Sequence, residues 1–349
     1  MMSATKAGRT YVLALFSLLM MQATVLFAQG GRNVTKVGTT AAAFLEIGVG
    51  SRAIGMGGAF SGMADDATAL YWNAAGLGRI MRNEVILVHT NWLADIRYDF
   101  AGVVVPVGGF GSIGASVTVL SMDDMAERTI ARPEGSGKFF SVGDLALGLS
   151  YGISLTDRFS IGLHAKYIHQ RISEMTASGF AVDIGTLFTT DFYGMRIGAV
   201  IRNFGPDMRM TGKDALVFHD IDPIKLGNNE RIEAELSTAS WPLPLIFQAG
   251  VAMELIQNER NRLSVALDAR NPVNNTESIN IGVEYALYER LFMRAGLHEL
   301  FLKDGETTFT AGAGVVARML GNVRARLDYA YADFGRLESV HRFSLAVEF

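Results

Sequence analysis

Val323-Arg324-Ala325-Arg326-Leu327-Asp328-Tyr329-Ala330-Tyr331 carries apolar or aromatic side chains at its odd positions and three charges at even ones. Side chains alternate across a strand, so this run makes one apolar and one polar face. Leu263-Ser264-Val265-Ala266-Leu267-Asp268-Ala269-Arg270 repeats the arrangement. The C-terminal run does so again, with Phe343, Leu345, Val347 and Phe349 opposite Arg342, Ser344, Ala346 and Glu348.

Working outward from these runs, period-two segments separated by Gly, Asn and Asp turns fill the chain from Glu84 onward. Strands are expected over 84–90, 97–106, 111–121, 142–154, 158–170, 177–189, 194–204, 244–256, 261–270, 277–287, 291–300, 306–317, 323–333 and 340–349. Most run near the 9 to 11 residues a tilted membrane strand needs, longer than a typical soluble strand. Their even number lets both ends of a single-chain barrel sit on the periplasmic side. Short turns then follow every second strand, and both long excursions, 122–141 and 205–243, fall on the opposite, extracellular side. Tyr98, Phe100, Tyr151, Tyr167, Phe192, Tyr193, Tyr285, Tyr288 and Phe292 gather near strand ends, where interfacial girdles form. The fold expected is all-β, a 14-stranded antiparallel transmembrane barrel; the competing reading is a soluble β-sandwich or periplasmic barrel.

The 349-residue composition agrees. Apolar residues make up 49%, which excludes a disordered chain, and beyond the N-terminus no stretch of about 20 uninterrupted apolar residues offers a spanning helix. An exported apolar chain without such a helix crosses a membrane as a closed barrel. There is no cysteine, hence no disulfide framework, thiolate ligand or lipidated N-terminal cysteine. Lys6 and Arg9, an apolar core over 11–21 and the small or weakly polar run ending Leu26-Phe27-Ala28-Gln29 have the order of a secretory signal peptide. Cleavage is expected after Ala28, the alternative being a membrane-anchoring helix. Removing Lys6 and Arg9 from the 31 basic residues leaves 29 against 35 acidic ones, a balance that gives no footing to nucleic acid.

Residues 29–83 differ from the rest and are expected to form a short, partly helical plug or hatch inside the barrel, with 84–349 as its wall. Residues 39–49 suggest a short helix. The run Gly50-Ser51-Arg52-Ala53-Ile54-Gly55-Met56-Gly57-Gly58-Ala59-Phe60 is too glycine-rich for a stable one. It also lacks a P-loop ending and dinucleotide spacing, so its glycines, among them Gly55, Gly57 and Gly58, are read as allowing close backbone packing. Asp65 and Asp66 are read as capping a helical turn that contains Trp72, with Asn73 tying down its end. A metal or carboxylate-pair reading of the two aspartates lacks a nearby His. Arg52, in an apolar stretch, needs an acidic or carbonyl partner; Asp268, Asp328, Glu284 and Glu348 are the lumen-facing candidates. The six histidines show no metal-ligand spacing, and no nucleophile, base and acid assemble from motifs. No cofactor, metal or catalytic residue is assigned.

The block Phe44-Leu45-Glu46-Ile47-Gly48-Val49-Gly50-Ser51-Arg52-Ala53-Ile54-Gly55-Met56-Gly57-Gly58-Ala59-Phe60, followed by Ala64-Asp65-Asp66-Ala67-Thr68-Ala69-Leu70-Tyr71-Trp72-Asn73-Ala74-Ala75-Gly76-Leu77, resembles the signature of the PorV/PorQ family, a branch of the FadL-like 14-stranded barrels. Trp241-Pro242-Leu243-Pro244 and the terminal Phe349 are also similar to family features. Members commonly carry Asn-Pro-Ala where this chain has Asn73-Ala74-Ala75. The resemblance implies an outer-membrane accessory of type IX secretion, with secretion components or the C-terminal domains of exported proteins as partners. The alternative it implies is a FadL-like channel for hydrophobic small molecules. Met122, Met125, Phe139 and Phe140 in one long loop and Met208, Met210, Phe218 and Trp241 in the other are the candidate partner or ligand surface. Phe343, Leu345, Val347 and Phe349 are read as the signal that engages the barrel assembly machinery.

Overall fold

Period-two sequences become strands here because the membrane supplies no hydrogen bonds, so every backbone N–H and C=O of the spanning region must pair within the sheet. The computed structural model describes residues 36–221, 224, 231–302, 308–319 and 321–349. The expected signal peptide, the start of the inner segment at 29–35 and the centre of the 205–243 loop lie outside the described residues.

Fourteen strands make the wall. They are β1 (Glu84–Asn91), β2 (Arg97–Pro106), β3 (Ser112–Ser121), β4 (Val142–Ser154), β5 (Phe159–Ile172), β6 (Met175–Thr189) and β7 (Arg196–Phe204), then β8 (Ile246–Gln257), β9 (Asn261–Pro272), β10 (Ser278–Leu287), β11 (Leu291–Leu300), β12 (Thr308–Arg318), β13 (Arg324–Asp333) and β14 (Ser339–Glu348). Each pairs antiparallel with its neighbours in sequence, and β1 pairs with β14 from Glu84↔Glu348 to Asn91↔His341, which closes the sheet. Closure leaves neither the first nor the last strand with an unpaired edge in lipid. Leu87, Ile113, Leu149, Leu163, Ile184, Phe247, Met293, Leu327 and Leu345 lie exposed on the outer face. Their sequence neighbours turn inward.

β7 is shorter than β6, and the chain leaving it folds back over the upper edge of β6. There Thr211–Gly212 pairs with Met175 and Thr176, and Met208 lies over Gly179. Further out in the same loop, Leu216–His219 and Ile232–Glu235 form a separate antiparallel ribbon.

Residues 37–83 fill the interior. They start beside the extracellular loops, where the Ala41 amide donates to the Pro242 carbonyl (2.9 Å), and descend to the periplasmic turns, where Arg82 donates to the Asn322 carbonyl (3.3 Å). The segment holds a 3-10 turn at Ala43–Glu46, helix α1 at Ser51–Gly55, helix α2 at Ala69–Trp72 and a 3-10 turn at Ala74–Arg79. Composition argues against a helix in the glycine-rich run and for one over 39–49. Instead α1 forms against β11 to β14, and only four residues of 39–49 are helical. Tertiary packing decides elements this short, because helical propensity cannot stabilise a single turn alone.

Glycines on the wall make the tight fit possible. A Cβ on Gly162 would stand 2.1 Å from the Ala74 carbonyl carbon, and one on Gly296 would stand 2.2 Å from the Gly57 amide nitrogen. Gly57 itself has φ +65, and a Cβ there would meet the Leu297 carbonyl oxygen at 2.7 Å. At these points the inner backbone lies directly on the wall.

Candidate functional site

Two places gather the conspicuous residues: a polar network between the inner segment and the wall, and an apolar depression at the extracellular mouth.

The network centres on Arg52. Its Nε and Nη2 donate to the two oxygens of Glu284 on β10 (2.9 and 3.1 Å), and its Nη1 donates to Asp65 (2.5 Å) and Asp66 (3.0 Å). Glu284 also accepts from Arg294 on β11 (2.7 Å) and Arg262 on β9 (3.0 Å). Asp66 accepts from Arg326 on β13 (2.8 Å), and Asp328 bridges Arg326 and Arg294. Arg196 on β7 joins Asp65 (3.5 Å) to Glu254 on β8 (2.9 Å). Arg52, Arg196, Arg262, Arg294 and Arg326 thus balance Asp65, Asp66, Glu254, Glu284 and Asp328. Such groups are costly to bury singly and stable together only when each is paired and hydrogen-bonded.

Burial raises the Asp66 carboxyl, but the guanidiniums of Arg326 and Arg52 more than offset this and hold it well below the usual carboxylate range. Asp66 also accepts from the Thr68 amide (3.0 Å) and hydroxyl (2.5 Å) at the start of α2. Nearby, Asp268 accepts from the Phe60 and Ser61 amides (3.1 and 2.8 Å). Asn73 accepts from the Ala75 amide (3.1 Å) and donates to the Ser61 and Thr186 carbonyls (2.9 and 3.0 Å). The Trp72 indole donates to the Val49 carbonyl (2.8 Å). Gly55 lies against Gly312, and Gly58, with φ +75, against Trp72.

At the extracellular mouth an apolar depression of about 490 Å³ is lined by residues 40–44, Ile47, Trp92, Leu120, Ile172, Met208, Met210 and Trp241, among others. A chamber of about 290 Å³ adjoins it, sharing Ala43, Ile47 and Trp92. In contrast, the periplasmic half of the interior is packed: Phe60, Met63, Ala64, Ala67, Leu70, Ala75 and Leu77 are all buried.

Residues 30–228, more than half the sequence, match the family described as type IX secretion system protein PorV. The chain belongs to the PorV family. Among solved structures it is similar to a FadL homologue of Pseudomonas aeruginosa (11% identity, 86% of this chain and 98% of that one, TM-score 0.54). It is also similar to the toluene transporters TbuX of Ralstonia pickettii (12%, 86% and 97%, 0.53) and TodX of Pseudomonas putida (13%, 86% and 97%, 0.51). At such identities the likeness is one of fold. No curated protein matches the sequence. This PorV-family barrel is an outer-membrane protein.

Within the PorV-family barrel the candidate surface residues separate. Met208, Met210 and Trp241 meet at the apolar depression. Met125 pairs with Phe140 in a two-residue ribbon at the base of the other long loop, with Met122 half-buried and Phe139 exposed beside it. Phe218 sits on the outer ribbon beneath the Arg231 guanidinium, 4.7 Å from its ring centre. Phe343 and Leu345 face outward, Val347 shares their side of the strand, and the Phe349 amide donates to the Asn83 carbonyl (3.0 Å).

The barrel wall also creates a Ser-His contact that has no signal in the sequence. Ser150 Oγ lies 2.5 Å from His164 Nδ1, with Asp183 opposite His164 on the next strand. Asp183 is engaged by Lys166 and the Asn203 amide (2.7 Å). The cavity beside them, about 20 Å³, has room for about one water. These partners meet across strands, so no local motif could have announced them.

Proposed function

We propose that this barrel serves type IX secretion by docking a protein at its extracellular face, the partner being a secretion component or the C-terminal domain of an exported protein. The observation that carries this reading is the filled interior. Residues 59–64, 66–70 and 73–77 are buried among the wall strands, and Arg52, Asp65 and Asp66 fasten the segment to strands from β7 round to β13. A solute conduit would have to break that network, whereas a docking protein needs only its outer surface. The apolar depression at the mouth provides such a surface, with Met210 and Trp241 as flexible and aromatic contacts of the kind interfaces favour, over a floor that includes the buried Met208.

The test is capture of the full-length barrel from its native outer membrane in mild detergent, with mass spectrometry of bound proteins and lipids. Secretion components, or exported proteins sharing a C-terminal domain, should copurify, and shortening 205–243 should lose them. Recovery of the barrel alone with a stoichiometric hydrophobic molecule would overturn the reading in favour of a hydrophobic channel.

A further inference from the structure

Arg52, Arg202, Arg270, Arg294 and Arg342 are the buried arginines among the described residues. Arg52 and Arg294 pair with Glu284, and Arg270 pairs with Glu299 (2.8 Å). Arg202 and Arg342 have no carboxylate within ion-pair distance among the described residues, and both line the 290 Å³ chamber.

The side chain of Arg342, a residue 2% exposed, makes no hydrogen bond or ion pair among the described residues; its guanidinium stacks on Trp92, 5.2 Å from the ring centre. Arg202, 3% exposed, gives one hydrogen bond to Gln248 (3.0 Å) and leaves Nε and Nη1 without partners. Its guanidinium lies 4.9 Å from the Tyr71 ring and 5.5 Å from the Trp72 ring. Aromatic faces attract a cation but do not satisfy its N–H donors, and of the acceptors that could fill the chamber an anion is the one that also supplies the missing countercharge.

We infer that the chamber binds a compact organic monoanion, a carboxylate with an apolar and preferably aromatic body. Arg342 takes the carboxylate and Arg202 adds positive charge behind it. A planar carboxylate matches the guanidinium fork, and Tyr71, Trp72, Trp92 and Phe334 form walls for a flat apolar group. Glu46 and Glu299 on the Arg270 side disfavour a second negative charge on the ligand. Trp92 lines both the chamber and the apolar depression, so the entrance is from the extracellular mouth. This site is independent of whether that mouth also docks a protein.

The chain has three tryptophans; Trp72 and Trp92 line the chamber and Trp241 does not. Emission from a Trp241→Phe barrel in phosphatidylcholine nanodiscs therefore reports on the chamber through Trp72 and Trp92, and a Trp92→Phe/Trp241→Phe barrel leaves Trp72, which does not line the depression, as the reporter. It is titrated with 4-phenylbutyrate, with the neutral isostere 4-phenylbutyramide, and with dodecanoate as a long-chain acid. Saturable binding of phenylbutyrate is expected, at least tenfold weaker for the amide and at least tenfold weaker in Arg342→Gln, with partial recovery in Arg342→Lys. Equal affinity for acid and amide, no saturable response, or unchanged binding in a folded Arg342→Gln barrel would overturn the site. If Arg342→Gln does not fold, the acid-to-amide ratio and its fall with added salt decide on the intact arginine. Tighter binding of dodecanoate than of phenylbutyrate would overturn the compact body and assign the chamber to acyl chains.

Discussion

Arg52 is the side chain on which the inner segment depends most, because it bonds to Glu284 through two nitrogens and to Asp65 and Asp66 through a third. Arg52→Gln leaves those carboxylates buried with fewer donors, a change that costs roughly 3–5 kcal/mol where a buried ion pair loses one member. Guanidinium-chloride unfolding of the barrel in lipid vesicles, followed by tryptophan emission, should show a loss of that size; a loss below about 1 kcal/mol would rule out an anchoring role. Asp66 gives the same anchor a pH dependence. Its folded pKa lies below the ordinary 3.8, so its contribution is complete above that value and is lost as pH falls through the folded pKa. Stability measured against pH should therefore show no Asp66 contribution to slope between about pH 7 and 5, then a decline below about 4 that Asp66→Asn removes. A slope between pH 7 and 5 that disappears in Asp66→Asn would contradict this assignment.

At the scale of elements, the wall was legible from the sequence and the interior much less so. β13, expected over 323–333, is Arg324–Asp333, and β14, expected over 340–349, is Ser339–Glu348. A strand facing lipid on one side and a polar lumen on the other writes that contrast into alternate residues, and turn parity then fixes which loops lie outside. The inner segment carries no such period. Glu284 stood among the possible partners of Arg52 because lumen-facing parity could be read from β10. Asp65 and Asp66 did not, because no periodic element relates residue 52 to residues 65 and 66. Arg342 stands on the polar face of the last strand in the sequence, but the absence of an acid beside it, and beside Arg202, is a three-dimensional fact. The last strand carries its own prediction. Phe349 lies beyond β14, and its backbone closes onto Asn83, while its side chain is exposed. Its deletion should lower the amount of barrel assembled in the outer membrane several-fold and leave the unfolding midpoint of the assembled fraction nearly unchanged. Undiminished barrel levels would remove the assembly role.

For the whole molecule, the question is whether residues 37–83 must move for the barrel to work. The sequence offers a clean way to ask, because the chain has no cysteine of its own. Ser51 on α1 and Ser344 on β14 place their Oγ atoms 2.8 Å apart, one on the inner segment and one on the wall. Replacing both by cysteine changes each side chain by a single atom, and the separation is close enough for a disulfide after a small adjustment. Oxidised Ser51→Cys/Ser344→Cys barrel would then carry its inner segment covalently fixed to the wall. A docking protein uses its extracellular surface with the interior closed, so secretion through the oxidised variant should match that of the reduced one, with partner capture unchanged. A conduit that opens by displacing the segment would behave otherwise. Its transport would stop on oxidation and return with a reductant, while either single replacement would stay active throughout. Loss of secretion under the same oxidation, restored by reductant, would mean that the filled interior is one state of a moving part, and the docking reading would have to give way to one in which the inner segment leaves its place.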